Sequence, residues 1–191
     1  MRHLALDVIH DEHQALAAML RSMSLMVAQS HRKHELPDFG VLRAMLFYVD
    51  EFPERQHHPK ESQLLFPRVR ERCPELAATL DRLEAEHHQG EAAIRTLEHA
   101  LLAYEVLGAS RRQAFDDALE SYVDGYLHHM RIEESAILPA AVQHLTEADW
   151  AALDAAFAKN LDPLTGHQAA DEFQPLFRKI VMTAPAPIGL G

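Results

Sequence analysis

Two stretches of this chain carry histidine and glutamate at a spacing suited to holding a cation. The first reads His57-His58-Pro59-Lys60-Glu61-Ser62-Gln63-Leu64-Leu65-Phe66-Pro67. The second reads His129-Met130-Arg131-Ile132-Glu133-Glu134-Ser135-Ala136-Ile137-Leu138-Pro139. With the Phe-Pro and Leu-Pro endings superimposed, at an offset of 72 residues, His57 falls on His129 and Glu61 on Glu133. Each copy is therefore H-x-x-x-E. On an α-helix, residues four apart lie about 40° apart around the axis and ~6 Å apart along it. An imidazole and a carboxylate so placed reach one centre from one face. A further histidine precedes each copy: His13 in Asp11-Glu12-His13-Gln14, and His87 in Ala85-Glu86-His87-His88. The repeated unit is a histidine, a gap of about forty residues, then H-x-x-x-E.

These residues need long helices to position them, and the sequence supplies the pattern. Only seven glycines occur among many Ala, Leu, Glu and Arg residues, and no stretch alternates as a strand would. A first helix is expected from about Leu6 to Ser30. Its apolar stripe of Ile9, Leu16, Leu20, Met23 and Val27 includes His13 at helical spacing. Asp38 suits the N-cap of a second helix, about Phe39 to Arg72, which contains Pro53, Pro59 and Pro67. Pro59 frees the carbonyl of Arg55, so a bend is expected there, with two shorter helices as the alternative. A third helix begins at Pro74 and stops at Gly108, with His87 on its stripe and His88 off it. A fourth opens at Ser110-Arg111-Arg112-Gln113, a capping-box pattern, and carries Tyr122, Tyr126, His129 and Glu133 inward, with His128 outward. Thr146-Glu147-Ala148-Asp149 caps a fifth helix, His167 to Val181 forms a sixth, and the tail from Ala184 is expected to be extended.

The fold class expected is all-α. Residues 1–145 form an up-down-up-down four-helix bundle, and residues 146–191 a helical extension with a tail. The net charge of −11 argues against nucleic acid and anionic membranes as partners. No apolar run reaches the ~18 residues of a membrane span, and the N-terminus lacks the apolar core of a signal peptide. The expected location is cytoplasmic. The single cysteine, Cys73, allows no internal disulfide and reads as an ordinary thiol beside a helix end.

One histidine on an apolar face is ordinarily a hydrogen-bonded core residue. Here four histidines and two glutamates all fall on inward stripes, with no Lys or Arg beside them. Burying a carboxylate without a cation costs several kcal/mol, so this set calls for a positive centre. Imidazole with carboxylate and no thiolate suits iron, manganese or zinc. With two bridging carboxylates, four imidazoles and an oxygen bridge, two six-coordinate ions retain two positions for an outside ligand. A pair of metals ~3.5–4 Å apart in such a cage favours iron.

These residues resemble the hemerythrin-like, HHE cation-binding family over about Leu6 to His144. Myohemerythrin is a familiar up-down four-helix bundle, so the resemblance implies the same fold class as the helical pattern does. The resemblance implies a non-haem di-iron centre, oxo- or hydroxo-bridged, held by His13, His57, Glu61, His87, His129 and Glu133. This ligand set is most similar to that of the di-iron domain of iron–sulfur cluster repair proteins. It differs from that of the oxygen-carrying hemerythrins, which have a second helix-C histidine where this chain has Glu91. Their helix-D carboxylate also lies five residues after its histidine, not four. Glu91 is either a seventh ligand or a solvated acceptor, and Tyr122 and Tyr126 either line an access route or are core aromatics. His10 is read as a surface residue. A ferritin-like alternative rests on Glu54-x-x-His57 and Glu84-x-x-His87, but the fourth helix has Tyr126 where that pattern needs a carboxylate.

Three functions remain open at this point. One is a module that binds or senses O2, NO or a related small ligand, or handles iron. Another is a di-iron oxidoreductase consuming peroxide, O2 or NO, with an electron-transfer partner. The last is a metal-free helical interaction protein. A homodimer is compatible with each.

Overall fold

The computed structural model describes residues 3–190, apart from the side chain of Glu91. It is all-α, and no strand occurs among the described residues. Helix α1 (Leu4–Lys33) buries the expected stripe, including His13, and ends where His34 takes a left-handed conformation with φ of 56°. Asp38 caps α2 (Phe39–Val49) by accepting the Val41 N–H at 2.9 Å.

From Phe39 to Arg72 the helical segments follow one another without a break, rather than as two separate helices. It passes through a π-helical segment (Asp50–His57), α3 (His58–Lys60), a second π-helical turn (Glu61–Leu65) and α4 (Phe66–Arg72). The cause lies in the prolines. Each lacks an N–H, and its ring crowds the carbonyl four residues back. Ahead of Pro59 and Pro67 the preceding residue then reaches back five instead of four. His58 N–H bonds to Pro53 O ahead of Pro59, and Phe66 N–H bonds to Glu61 O ahead of Pro67. The same occurs in the second copy, where Leu138 N–H bonds to Glu133 O ahead of Pro139. The Phe-Pro and Leu-Pro endings thus write a widened turn that begins at each motif glutamate. Single π turns of this kind recur at functional sites.

Helix α5 (Ala77–Leu107) follows a 3-10 turn at Pro74–Leu76 and ends at Gly108, whose φ of 79° suits glycine. The capping box expected at Ser110 does not form. Gly108–Arg111 is itself a 3-10 turn, so Ser110 lies inside that turn, and α6 (Arg112–Ile132) starts two residues later without a side-chain cap. A π-helical turn (Glu133–Ile137) and α7 (Leu138–His144) extend α6. Thr146 and Asp149 form the expected capping box of α8 (Glu147–Phe157), and α9 spans Gln174–Thr183, starting later than His167. The tail is not extended. Gly189 N–H returns to Pro185 O and Leu190 N–H to Val181 O at 2.8 Å, folding it back on α9.

Helix α1 packs against α2 and α6, and α5 packs against the same two, so the long helices close a ring. Inside it lie two separate apolar clusters. Leu16, Phe52, Ile94 and Tyr126 belong to one, and Ile9, Leu65, Leu83 and Ile137 to the other. His13, His57, Glu61, His87, His129 and Glu133 fall between those residues on every rod. The core is therefore two oily layers with a polar layer between them. Helices α8 and α9 pack outside, on α1 and α2 respectively.

Candidate metal centre

Each of the six sequence-predicted residues lies in this polar layer. Glu61 and Glu133 are fully buried, at 0% exposure, and the four histidine side chains are close behind. Within each motif the histidine meets its own glutamate: His57 Nε2 is 3.1 Å from Glu61, and His129 Nε2 is 3.3 Å from Glu133. Between helices, His13 Nε2 is 3.5 Å from Glu133, and His87 Nε2 is 3.6 Å from Glu61 and 3.8 Å from Glu133.

The outer nitrogens explain why the inner ones face inward. Nδ1 of His57 lies 2.6 Å from Glu12, that of His129 2.8 Å from Glu86, that of His13 3.1 Å from Glu134 and that of His87 2.8 Å from the Ser62 hydroxyl. A carboxylate accepts only, so it holds the proton on Nδ1 and leaves the Nε2 lone pair directed to the centre. Partners of this kind orient metal-binding histidines and raise their basicity. Glu12 is held in turn by Asn160 Nδ2 at 2.9 Å, and Asn160 is bonded by Lys60. Phe157 sets its ring edge-on to His57 at 5.8 Å. The end of α8 and the residues just after it therefore brace the site from outside the ring.

The inner atoms have no such partners. Both carboxylate oxygens of Glu61, both of Glu133 and Nε2 of His57 are buried without a hydrogen bond. Nε2 of His87 and of His129 lie 2.9 Å apart, a spacing two lone pairs tolerate only around a proton or a cation. Burial raises the Glu133 carboxyl, and neighbouring Glu61 adds to this. Burial opposes charge on His129, but Glu133, Glu86 and Glu61 prevail and raise it to about 9. Four buried carboxylate oxygens without a hydrogen bond, ringed by imidazoles, fit a divalent or trivalent cation, and among the described residues no lysine or arginine pairs with them.

Potential donors fall into two overlapping groups. His13, His57 and Glu61 offer atoms within 4.8 Å of one another, and so do His58, Glu61, His87 and His129. Glu61 belongs to both. His58 was not legible as a site residue. It is buried, stacks on His87 with ring centres 4.2 Å apart, and has Nδ1 3.2 Å from Glu54. Glu54 also accepts from the Tyr122 hydroxyl at 3.2 Å and from that of Tyr126. Both tyrosines are thus satisfied, and both line a groove of about 520 Å³ between α5 and α6. Small residues, among them Gly90, Ala93, Ala118 and Gly125, form its walls, and His58, His87 and His129 lie along it.

The orienting acids were also missed, although a signal exists. Glu12 and Glu86 immediately precede His13 and His87 in the two halves, and each serves a histidine on another rod. His88 and His128 are exposed as expected, and His10 is largely exposed, 3.9 Å from Glu134. The ferritin-like pattern does not converge, because Glu84 faces Arg70 on the outside. The Glu91 side chain lies outside the described residues. Cys73 is buried in an apolar cluster.

Ring-packed helices with a layer of imidazoles and unpartnered carboxylates define a helical metal-binding protein. The family model of the hemerythrin HHE cation-binding domain matches residues 4–141, and the chain belongs to that family. No curated protein and no solved structure matches it. Among the described residues no helix is long and apolar enough to cross a membrane.

Proposed function

We propose that this protein holds a non-haem di-iron centre and uses it to bind or sense O2, NO or a related small ligand, or to handle iron. His13, His57, His87 and His129 would hold the pair together with Glu61 and Glu133. Residues 1–145 are the unit that carries the centre, and residues 146–191 an extension that braces it. The observation that carries this reading is the set of four buried carboxylate oxygens without a hydrogen bond. Bound iron supplies a reversible change of oxidation state and coordination positions for a small ligand. The protein's part is to fix the inner nitrogens through Glu12, Glu86, Glu134 and Ser62, and to keep the site between two apolar layers. The test is to reduce the iron-loaded protein without air, add O2 or NO, and follow its visible spectrum. A stoichiometric change is expected. No change with either gas removes the reading.

One observation favours an oxidoreductase as a second reading. A groove of about 520 Å³ is far larger than a diatomic needs, and it passes Tyr122, Tyr126 and two candidate ligands. A reductant-fed assay with peroxide, O2 or NO separates the two, since a binding module gives one equivalent and an enzyme many.

A further inference from the structure

The polar layer contains one imidazole more than the repeat accounts for. His58 has no counterpart in the second copy, where the matching residue is Met130. On a regular helix adjacent residues point about 100° apart, so a helix that aims His57 inward turns His58 away. In this chain both are buried. The bond that widens the helix is the one from His58 N–H to Pro53 O, and a second widened turn begins at Glu61, three residues on.

The surroundings of His58 are built to hold it. Glu54, one turn earlier, accepts from His58 Nδ1 at 3.2 Å, which leaves Nε2 as the nitrogen to offer. Glu54 is itself fixed by the hydroxyls of Tyr122 and Tyr126. The opposite wall is the bare backbone of Gly90, where a Cβ would meet Glu54 Oε2 at 2.4 Å. Three residues on α5 and α6 thus enclose the carboxylate that bonds to this ring. The arrangement repeats what Glu12 does for His57 and Glu86 for His129: an acid on the outer nitrogen, with the inner nitrogen turned toward the two glutamates. The His58 donor atom lies within 4.8 Å of those of Glu61, His87 and His129.

We propose that His58 is a fifth histidine ligand of the centre, completing with His87 and His129 the imidazoles of one ion, while His13 and His57 serve the other and Glu61 and Glu133 serve both. This rests on the di-iron reading above. It makes the two ions unequal, and it leaves one coordination position for an outside ligand instead of two.

The experiment uses the full chain loaded with ⁵⁷Fe(II) without air, as wild type, H58Q, H58A and, as an exposed control, H88Q. Iron per chain, chelator competition and Mössbauer spectra are read for each. The wild type should hold two iron ions in two distinct environments, and H88Q should match it. In H58Q one environment should change and its iron should be lost to chelator about 100-fold more readily, the upper end of what a mere orienting partner costs. Because His58 lines the α5–α6 groove, free imidazole should restore the second iron to H58A. A packing role would not produce that rescue. It also keeps the test decisive should H58Q fail to fold. H58Q with unchanged spectra and affinity, or H58A unresponsive to imidazole, overturns this inference while leaving the di-iron centre standing. A wild type that takes up no iron overturns both.

Discussion

Replacing Gly90 by alanine pits two effects of known size against each other. Gly90 is in the interior of α5, where Gly→Ala ordinarily stabilises a helix by about 0.5–1 kcal/mol. Against this, the new methyl would sit 2.4 Å and 2.7 Å from the Glu54 carboxylate oxygens and 2.9 Å from its carbon. Glu54 is the end of a flexible side chain, yet it has nowhere to go. One oxygen takes bonds from Tyr122 and Tyr126, the other faces His58, and the side chain is 2% exposed. Displacing it leaves buried polar groups without partners, at roughly 1–3 kcal/mol each. The loss exceeds the helix gain, and G90A should be less stable by roughly 1–4 kcal/mol. Gly125, interior to α6, has nothing within 4 Å of the point a Cβ would occupy, so G125A should keep the full gain. Thermal melts of the two variants provide the assay. At about 2–4 °C per kcal/mol for a chain of this size, G125A should melt a few degrees above wild type and G90A several degrees below. If both variants rise together, Glu54 is not held as described and the reasoning fails.

Three further outcomes follow from the same geometry. E133Q removes a candidate ligand and should lessen the stabilisation that iron confers: the rise in melting temperature on iron loading should be smaller in the variant than in wild type, and an equal rise would refute the role. N160A frees Glu12 from its outer partner and should weaken iron binding by about 10-fold, read by chelator competition, with little change in the metal-free melting temperature. Burial raises Asp162 to about 6, against the bond from Tyr48. Its folded pKa then exceeds the unfolded value of about 3.9, so the native state binds the extra proton. The stability from this group is full below about pH 4 and falls as pH rises to about 6, by on the order of 3 kcal/mol. Denaturant melts between about pH 4 and 7 should show that fall in wild type relative to D162N, and equal pH dependence would refute it.

Much of this was legible because helical spacing is a strong constraint. The stripe through His13 and the H-x-x-x-E repeat placed six residues on inward faces, and the rods bring all six together. Asp38 and Thr146 act as helix caps because their side-chain bonds are local. What was missed depends on contacts between elements or on departures from regular helix. His58 could not be placed by a regular wheel, since neighbouring π-helical turns alter which residues face in. The orienting acids serve histidines on other rods, a relation that no single helix displays. Ser110 has the residue pattern of a cap, but a 3-10 turn at Gly108–Arg111 moves the helix start past it. The tail folds back through two backbone bonds that its composition does not announce.

Glu61 and Glu133, buried with no hydrogen bond to their oxygens, call for metal ions between the helices. Iron bound per chain, measured on protein purified without chelator and paired with its melting temperature before and after chelation, tests this most directly. Two iron ions per chain and a melt that drops when they are stripped are expected. A chain that carries no metal and melts unchanged after chelation would contradict it.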